Sequence, residues 1–192
     1  MARPKEFDRS RALDKALDVF WCRGYAATSV QDLVDRTGVN RQSLYDTFGD
    51  KHALFLAAMD RYAEQESAKL RQQFADSASF KDALRGVLQN VVDTAVAGGS
   101  RRGCFIVNAA TECAPHDPMI VERVLASVDR MQQTFTQAIQ RAQAAGEIDQ
   151  TKDARALARF LANTVQGLQV QAKFAPRPSD MRDVIDVTLA AI

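Results

Sequence analysis

The sequence predicts an all-α fold, in which a small head of three helices is followed by a larger helical body. Three observations lead to this fold class. Apolar residues recur at spacings of three and four along nearly every segment, as they do on the buried face of a helix. Residue types that begin or end helices separate these segments. No segment alternates between apolar and polar residues with the period of a strand.

The composition narrows the class of protein further. The 192 residues are 46% hydrophobic and carry a net charge of +1, which suits a packed core and argues against a general nucleic-acid coat. No apolar run approaches the ~20 residues of a membrane helix, and the N-terminus lacks the pattern of a secretory signal. The three cysteines are an odd number without framework spacing. We therefore expect a cytoplasmic protein without a membrane segment.

The first two helices of the head are marked by their ends. Apolar periodicity over 9–23 predicts the first helix, which stops at Gly24. A second helix begins at Thr28 or Ser29, because Thr28 and Gln31 have the spacing of a capping box.

A tight turn and a third helix follow. Gly38 lies where the backbone must turn sharply, and Asn40 is a good cap for a helix over 41–47. That helix points Leu44 and Phe48 inward. The side chains left outside are Arg41, Gln42, Ser43 and Tyr45. A short helix with polar outer residues, braced by a partner across a glycine turn, is the form that enters a DNA major groove.

Beyond the head, the pattern predicts six further helices. Asp50 caps a long helix to about Phe74, and its first part, 50–59, connects the head to the body. The next two helices are predicted over 80–95, ended by Gly98-Gly99-Ser100, and over 104–114, ended by Pro115. A long helix over 118–145 follows, with Asp117 as cap and Gly146 as stop. The last two helices run from Thr151 or Asp153 to before Pro176, and from a Ser179 cap onward. We assign residues 1–50 to the head and 51–192 to the body.

The head resembles the N-terminal domain of the TetR family of transcriptional regulators. The residues that carry the resemblance are Phe20, Gly24-Tyr25, Thr28-Ser29, Gly38-Val39, Leu44-Tyr45, Phe48, and Lys51 with Leu54. Val34 and Thr37 are bulkier than the residues usual in the family, which implies a slightly different packing angle between the two helices. The resemblance implies a helix-turn-helix head that binds double-stranded operator DNA.

Seven residues are candidates for DNA contacts. Arg41, Gln42 and Ser43 are candidates for base readout, because Arg pairs well with guanine and Gln with adenine. By the resemblance, Tyr45 and Lys51 hold the DNA backbone. The full set is Thr28, Arg41, Gln42, Ser43, Tyr45, Thr47 and Lys51. A solvated helix surface is the alternative for each, and capping alone explains Thr28.

The head has almost no surplus of positive charge, so DNA binding would depend on where its cations lie. Residues 1–52 contain nine Lys or Arg and eight Asp or Glu. The cations near the N-terminus are Arg3, Lys5, Arg9 and Arg11. This arm either reaches an adjacent minor groove or has no fixed structure, and the sequence leaves both open.

The body resembles one subgroup of the same family, through residues 102–108 (RGCFIVN), Glu112 and residues 114–118 (APHDP). Some members of that subgroup answer to small toxic or electrophilic compounds. The resemblance implies a pocket for a small-molecule effector. Candidate lining residues combine apolar and polar side chains on the body helices: Met59, Tyr62, Cys104, Phe105, Asn108, Thr111, Glu112, Met131, Phe135, Gln166 and Phe174. Core packing is the alternative for each.

Cys104 carries the sharpest chemical hypothesis. It lies near a helix N-terminus just after Arg101 and Arg102, and both influences stabilise the reactive thiolate. The alternative is a small buried apolar residue. A metal site is a weaker hypothesis for this segment than a corner between two helices, which Pro115 explains. Its ligands would be Cys104, Glu112, Cys113 and His116. We predict no metal.

The last two helices predict a homodimer. Gly167 among Val165, Leu168 and Val170 allows close backbone approach, and two such helices from each chain would form a four-helix bundle. The alternative is that these helices only close the monomer core.

Together these observations predict a ligand-responsive DNA-binding regulator, a repressor released from its operator by a small molecule or by thiol modification. A helical protein-interaction module without DNA binding is the alternative. An enzyme is not predicted, because the two histidines lie far apart in sequence and no catalytic set or cofactor motif stands out.

Overall fold

The computed structural model describes residues 7–96, 102–174 and 177–192, and within these residues the predicted all-α fold is confirmed. The helices are α1 Arg9–Arg23, α2 Val30–Thr37, α3 Arg41–Phe48, α4 Lys51–Asp76, α5 Phe80–Val96, α6 Phe105–Glu112, α7 Pro118–Ala144, α8 Ala154–Gln171 and α9 Pro178–Ala191. Short 3-10 turns cover Ala114–His116 and Ala172–Phe174. Within the same residues, no helix is long and apolar enough to cross a membrane. The predictions for Arg3, Lys5, Gly98-Gly99-Ser100, Arg101 and Pro176 concern residues outside these ranges.

The cap of α2 corrects one prediction. Ser29, rather than Thr28, is the N-cap: its hydroxyl accepts from Asp32 N–H at 3.1 Å, and the Asp32 carboxylate accepts from Ser29 N–H at 2.9 Å. Thr28 lies one residue too early for this exchange. Its hydroxyl instead donates to Gly24 O at 2.6 Å inside the head, and the Gln31 side chain donates to Asp35.

The turn between α2 and α3 is fixed by a glycine and a hydroxyl. Gly38 follows α2 with a φ of 75°, in the left-handed region that favours glycine. The Thr37 hydroxyl donates to Leu33 O at 2.6 Å and accepts from Val39 N–H at 3.2 Å. The threonine that departs from the family pattern therefore closes the turn that orients α3.

The head shares its hydrophobic core with the body. Phe20, Leu33 and Leu44 from the head pack in one cluster with Phe55 of α4 and Phe105 of α6. Close packing transmits displacement, so a shift of α4 or α6 must disturb the head.

A second core lies entirely in the body. Residues of α5, α7, α8 and α9 form it, among them Leu84, Phe135, Leu161 and Ile185. Phe160 of α8 is 44% exposed, because Leu157, Leu161 and Val165 already cover the inner face.

The start of α9 differs from its prediction. Arg177 is the N-cap and Pro178 occupies the first helical turn, where its fixed φ suits a helix start. Ser179 therefore lies inside the helix, and its hydroxyl donates to Asp180.

Candidate nucleic-acid interface and ligand cavity

The inner face of α3 packs into the head core and so fixes the orientation of its outer face. Leu44 and Phe48 are buried in the head core, and the Asn40 side chain accepts from Ser43 N–H at 2.9 Å, which fixes the start of the helix. Arg41 and Gln42 are exposed on the opposite side. The structure therefore offers Arg41 and Gln42 to solvent, whereas Ser43, the third candidate for base readout, is half-buried.

Weak local contacts orient these two side chains. The Arg41 guanidinium lies over the Tyr45 ring, 5.4 Å from its centroid. The Gln42 amide donates to Asp46 at 2.8 Å. Either contact can be exchanged for a base edge without disturbing the core.

Candidates for binding the DNA backbone lie on α3 and beside it. Lys51 begins α4, and its ammonium lies 4.4 Å from the centroid of the Tyr25 ring. Tyr45 and Thr47 are half-buried, and the Thr47 hydroxyl donates to Ser43 O at 2.8 Å. Arg9 also borders α3, with its guanidinium 5.3 Å from the centroid of the Phe48 ring.

Thr28 does not belong to this surface. It is 1% exposed, and its hydroxyl is bound to Gly24 O. The predicted phosphate contact by its side chain is therefore wrong, because the local turn already uses the hydroxyl.

A cavity of about 160 Å³ lies in the body, between α4, α5, α7 and α8 and beside the start of α6. Five of the predicted pocket residues line it: Tyr62, Cys104, Met131, Phe135 and Gln166.

Other predicted pocket residues lie elsewhere. Met59 and Phe105 are buried in the first hydrophobic core. The Asn108 amide bonds to Arg102 O and to the Lys173 ammonium, while Thr111 and Phe174 are exposed. These placements correct the prediction. Near the start of α6, Cys104 and Ile106 line the cavity, whereas Phe105 and Asn108 lie along an outer cleft beside α1.

Glu112 is also outside the cavity and has a structural partner in the head. Its carboxylate accepts from Tyr25 N–H at 3.0 Å and from Ala26 N–H at 2.8 Å. A Cβ at Gly24 would come within 2.7 Å of the same carboxylate, so only glycine permits this approach. We call this contact the Glu112 latch, and it ties the end of α6 to the turn between α1 and α2.

Removing the latch tests its contribution to stability. Glu112→Ala leaves two N–H groups of the turn without their acceptor, and we expect the free energy of unfolding to fall by about 1–2 kcal/mol. Urea denaturation measures the change. Glu122→Ala, at an exposed position of α7, is the matched control. Equal stability of the two variants would show that the latch contributes nothing.

Cys104 is not poised as a thiolate. It is 7% exposed, and burial raises the pKa of its thiol, which the hydrogen bonds from Val107 and Tyr62 offset only in part. Arg102, expected to favour the thiolate, pairs with Asp18 at 3.1 Å. Burial also raises the pKa of Cys113 to about 11. The structure therefore favours the packing role for Cys104 over the sensing role.

The proposed metal ligands have other surroundings. His116 is exposed on the 3-10 turn, and Glu112 is engaged in the latch. Across the described ranges, no group of three or more His, Cys, Asp or Glu side chains could hold a metal ion.

An exposed stripe runs along α8 and continues on α9. Its members on α8 recur at spacings of four and three, as in a helix that packs against another; they are Ala156, Phe160, Asn163, Gly167 and Val170. On α9, Val187 is 69% exposed. A Cβ at Gly167 would meet nothing within 4 Å, so this side of α8 is open. By contrast, Val165 and Leu168 are buried within their own subunit.

Sequence reasoning missed two features of these sites. Gln169 lines the cavity three residues after Gln166, and the helical spacing could have found it. The second feature is a pair between α4 and the start of α7, in which His52 Nε2 lies 2.6 Å from Asp117 Oδ2. No local pattern signals such a contact.

Two models of known protein families match this chain. Residues 12–58 match the family model described as bacterial regulatory proteins, tetR family. Residues 81–188 match the model of a tetracyclin repressor-like C-terminal domain.

Individual proteins match over the whole chain. The HTH-type transcriptional regulator YezE of Bacillus subtilis is 35% identical, with 100% of each chain covered. The HTH-type transcriptional repressor ComR of Escherichia coli is 34% identical, over 97% of this chain and 90% of ComR. Both carry the names of helix-turn-helix-type transcriptional regulators. Among solved structures, a cysteine-substituted variant of CifR in complex with 26-base-pair operator DNA is 30% identical, covers 99% of both chains and has a TM-score of 0.86.

Proposed function

The chain belongs to the TetR family of transcriptional regulators, and we propose that it is a homodimeric repressor. In this proposal, the protein is released from its operator when a small molecule enters the body cavity. The exposed outer face of α3, with Arg41 and Gln42, is the observation that carries the DNA-binding role. The similarity to ComR, which is a repressor, supports the sign of regulation. This role implies a cytoplasmic location, because it requires contact with chromosomal DNA.

In this proposal, residues 1–50 bind DNA, and residues 51–192 bind the effector and the second subunit. Pairing of the exposed stripe on α8 and α9 with its copy would form a four-helix bundle. A twofold dimer then presents two α3 helices about one DNA turn apart, which is the spacing that successive major grooves require.

A packed route links the cavity to the head. Tyr62, in the cavity wall, meets the Trp21 ring edge-on with centroids 5.0 Å apart, and the Phe105 ring at 5.7 Å. Phe105 contacts Phe55 at 5.4 Å, and Phe55 contacts Tyr25 at 4.9 Å. We propose that a ligand displacing Tyr62 shifts α4 and α6 and so moves the head.

The Glu112 latch gives α6 a second hold on the head, through the backbone of the turn after α1. A shift of α6 would therefore change the separation of the two heads in the dimer. Operator affinity falls by the coupling free energy, which is typically ~1–3 kcal/mol.

The trigger in this proposal is non-covalent. A buried thiol with a raised pKa is mostly protonated at neutral pH and reacts slowly with electrophiles. Thiol modification of Cys104 is therefore the less supported half of the predicted mechanism.

A gel shift with the region upstream of the gene tests DNA binding. We expect the double variant Tyr45→Phe, Lys51→Ala to abolish the shift at moderate salt, because each head loses a hydroxyl and a cation that face phosphates. The log–log slope of affinity against salt should become shallower by about two for the dimer, one counterion per head. Lys81→Ala, on the exposed side of α5, is the control.

The rival function, a helical protein-interaction module, predicts a different outcome. It requires that the protein shift no genomic fragment even at low salt, and that the double variant behave like the control.

A further inference from the structure

The body cavity has room for a small occupant, and this inference rests on the proposed role of the body as a ligand-binding domain. The cavity volume is about 160 Å³. An engineered apolar cavity of roughly 150 Å³ accommodates benzene. The cavity therefore has room for one six-membered ring with a small substituent.

Most of the wall is apolar. Val87 and Val91 line it from α5, and Val128, Met131 and Phe135 line it from α7. Such a wall stabilises the apolar body of a ligand by removing its surface from water.

One polar group in the wall lacks a partner. The Oε1 atom of Gln169 is buried and, among the residues that the structure describes, accepts no hydrogen bond. Tyr62 and Cys104 also line this wall. Because an unpaired buried acceptor is costly, the favoured occupant donates an O–H or N–H to Gln169.

The charge of the wall sets the charge of the occupant. Glu66 and Lys69 are the charged side chains among the described lining residues, and they pair with each other at 2.7 Å. No cation is left in this lining to neutralise an anionic ligand, and burying an unpaired charge is strongly unfavourable.

We propose that the effector is a neutral, ring-sized molecule of the phenol type, whose hydroxyl or amine group donates to Gln169 Oε1 while its ring packs between α5 and α7.

Calorimetric titration of the DNA-free protein with phenol, toluene and benzoate tests this proposal. We expect phenol to bind about tenfold more tightly than toluene, the effect of one hydrogen bond to a buried acceptor. Benzoate should not bind at the same concentrations. Gln169→Leu should remove the preference for phenol while toluene binding persists, which also shows that the cavity remains folded. Gln133→Leu, at an exposed position of α7, should behave as wild type.

Three results would overturn the proposal: no binding of either neutral probe, benzoate binding as tightly as phenol, or an unchanged preference for phenol in Gln169→Leu. A separate gel shift with and without phenol distinguishes a failure of the proposed regulation from a failure of the proposed ligand class. Phenol binding without a change in DNA affinity would sink the proposed regulation, whereas an intact gel shift without phenol binding would sink only the ligand class.

Discussion

Arg41→Ala is expected to lower operator affinity about thirtyfold or more, while the fold and the dimer remain intact. A bidentate contact between arginine and guanine is worth ~1–3 kcal/mol of discrimination, and a twofold dimer makes it twice, so the loss is ~2–6 kcal/mol. The variant should fold normally, because Arg41 is exposed and its ring contact is to Tyr45 on the same helix.

Fluorescence anisotropy with a selected operator measures this loss, and Arg85→Ala is its control. Arg85 is an exposed arginine on α5 in the body. If both variants bind the operator alike, Arg41 takes no part in base readout. A change in preferred bases at one position of each half-site would identify the pair that Arg41 reads.

Val187→Asp is expected to convert the dimer into monomers and to weaken DNA binding at least a hundredfold. Val187 is 69% exposed on α9, a helix that contacts α8. Twofold symmetry would bury two new carboxylates in one apolar interface, and neither would have a cation to pair with. Loss of the linked second head removes an avidity gain of roughly 10²–10⁴.

Sedimentation at micromolar concentration gives the oligomeric state, and gel shifts give the affinity. Val96→Asp provides a matched control, since Val96 is 55% exposed and belongs to α5 rather than to α8 or α9. A Val187→Asp protein that stays dimeric would show that the subunits pair through another surface.

Local signals predicted the helices of this protein well. Asn40, Asp50 and Asp117 were identified as caps from their positions alone, and each accepts a backbone N–H in the structure. Capping depends on residues within one turn, so sequence spacing contains the information. The same reasoning left the start of α2 open between Thr28 and Ser29 and assigned the capping box to Thr28, because both residue types cap helices and the fold of the preceding turn decides between them.

The candidate sites were predicted less completely. The outer face of α3 follows from its own periodicity, whereas the cavity is assembled from helices that lie far apart in sequence. Glu112 illustrates the limit: its partners, Tyr25 and Ala26, are more than eighty residues away, and no pattern around either end announces the contact. For Cys104, neighbouring sequence suggested activation, but burial acts in the opposite direction and outweighs it.

The direction of an apolar side chain on a helix with a wide apolar face is a further feature that the sequence does not determine. Phe160 belongs to an apolar pattern that is wider than one face of α8, so the sequence could not say which members turn outward. Its exposure became informative only once the packing of the neighbouring helices was known.

Hydroxyl-radical footprinting on genomic fragments selected by the purified protein shows whether two α3 helices bind one duplex together. We expect two protected patches on one face of the duplex, with centres separated by one helical turn or a multiple of it, about 34–36 Å per turn. Both patches should disappear together in Arg41→Ala and in Val187→Asp. A single patch, or a footprint unchanged in both variants, would contradict the claim that paired α3 helices read the DNA.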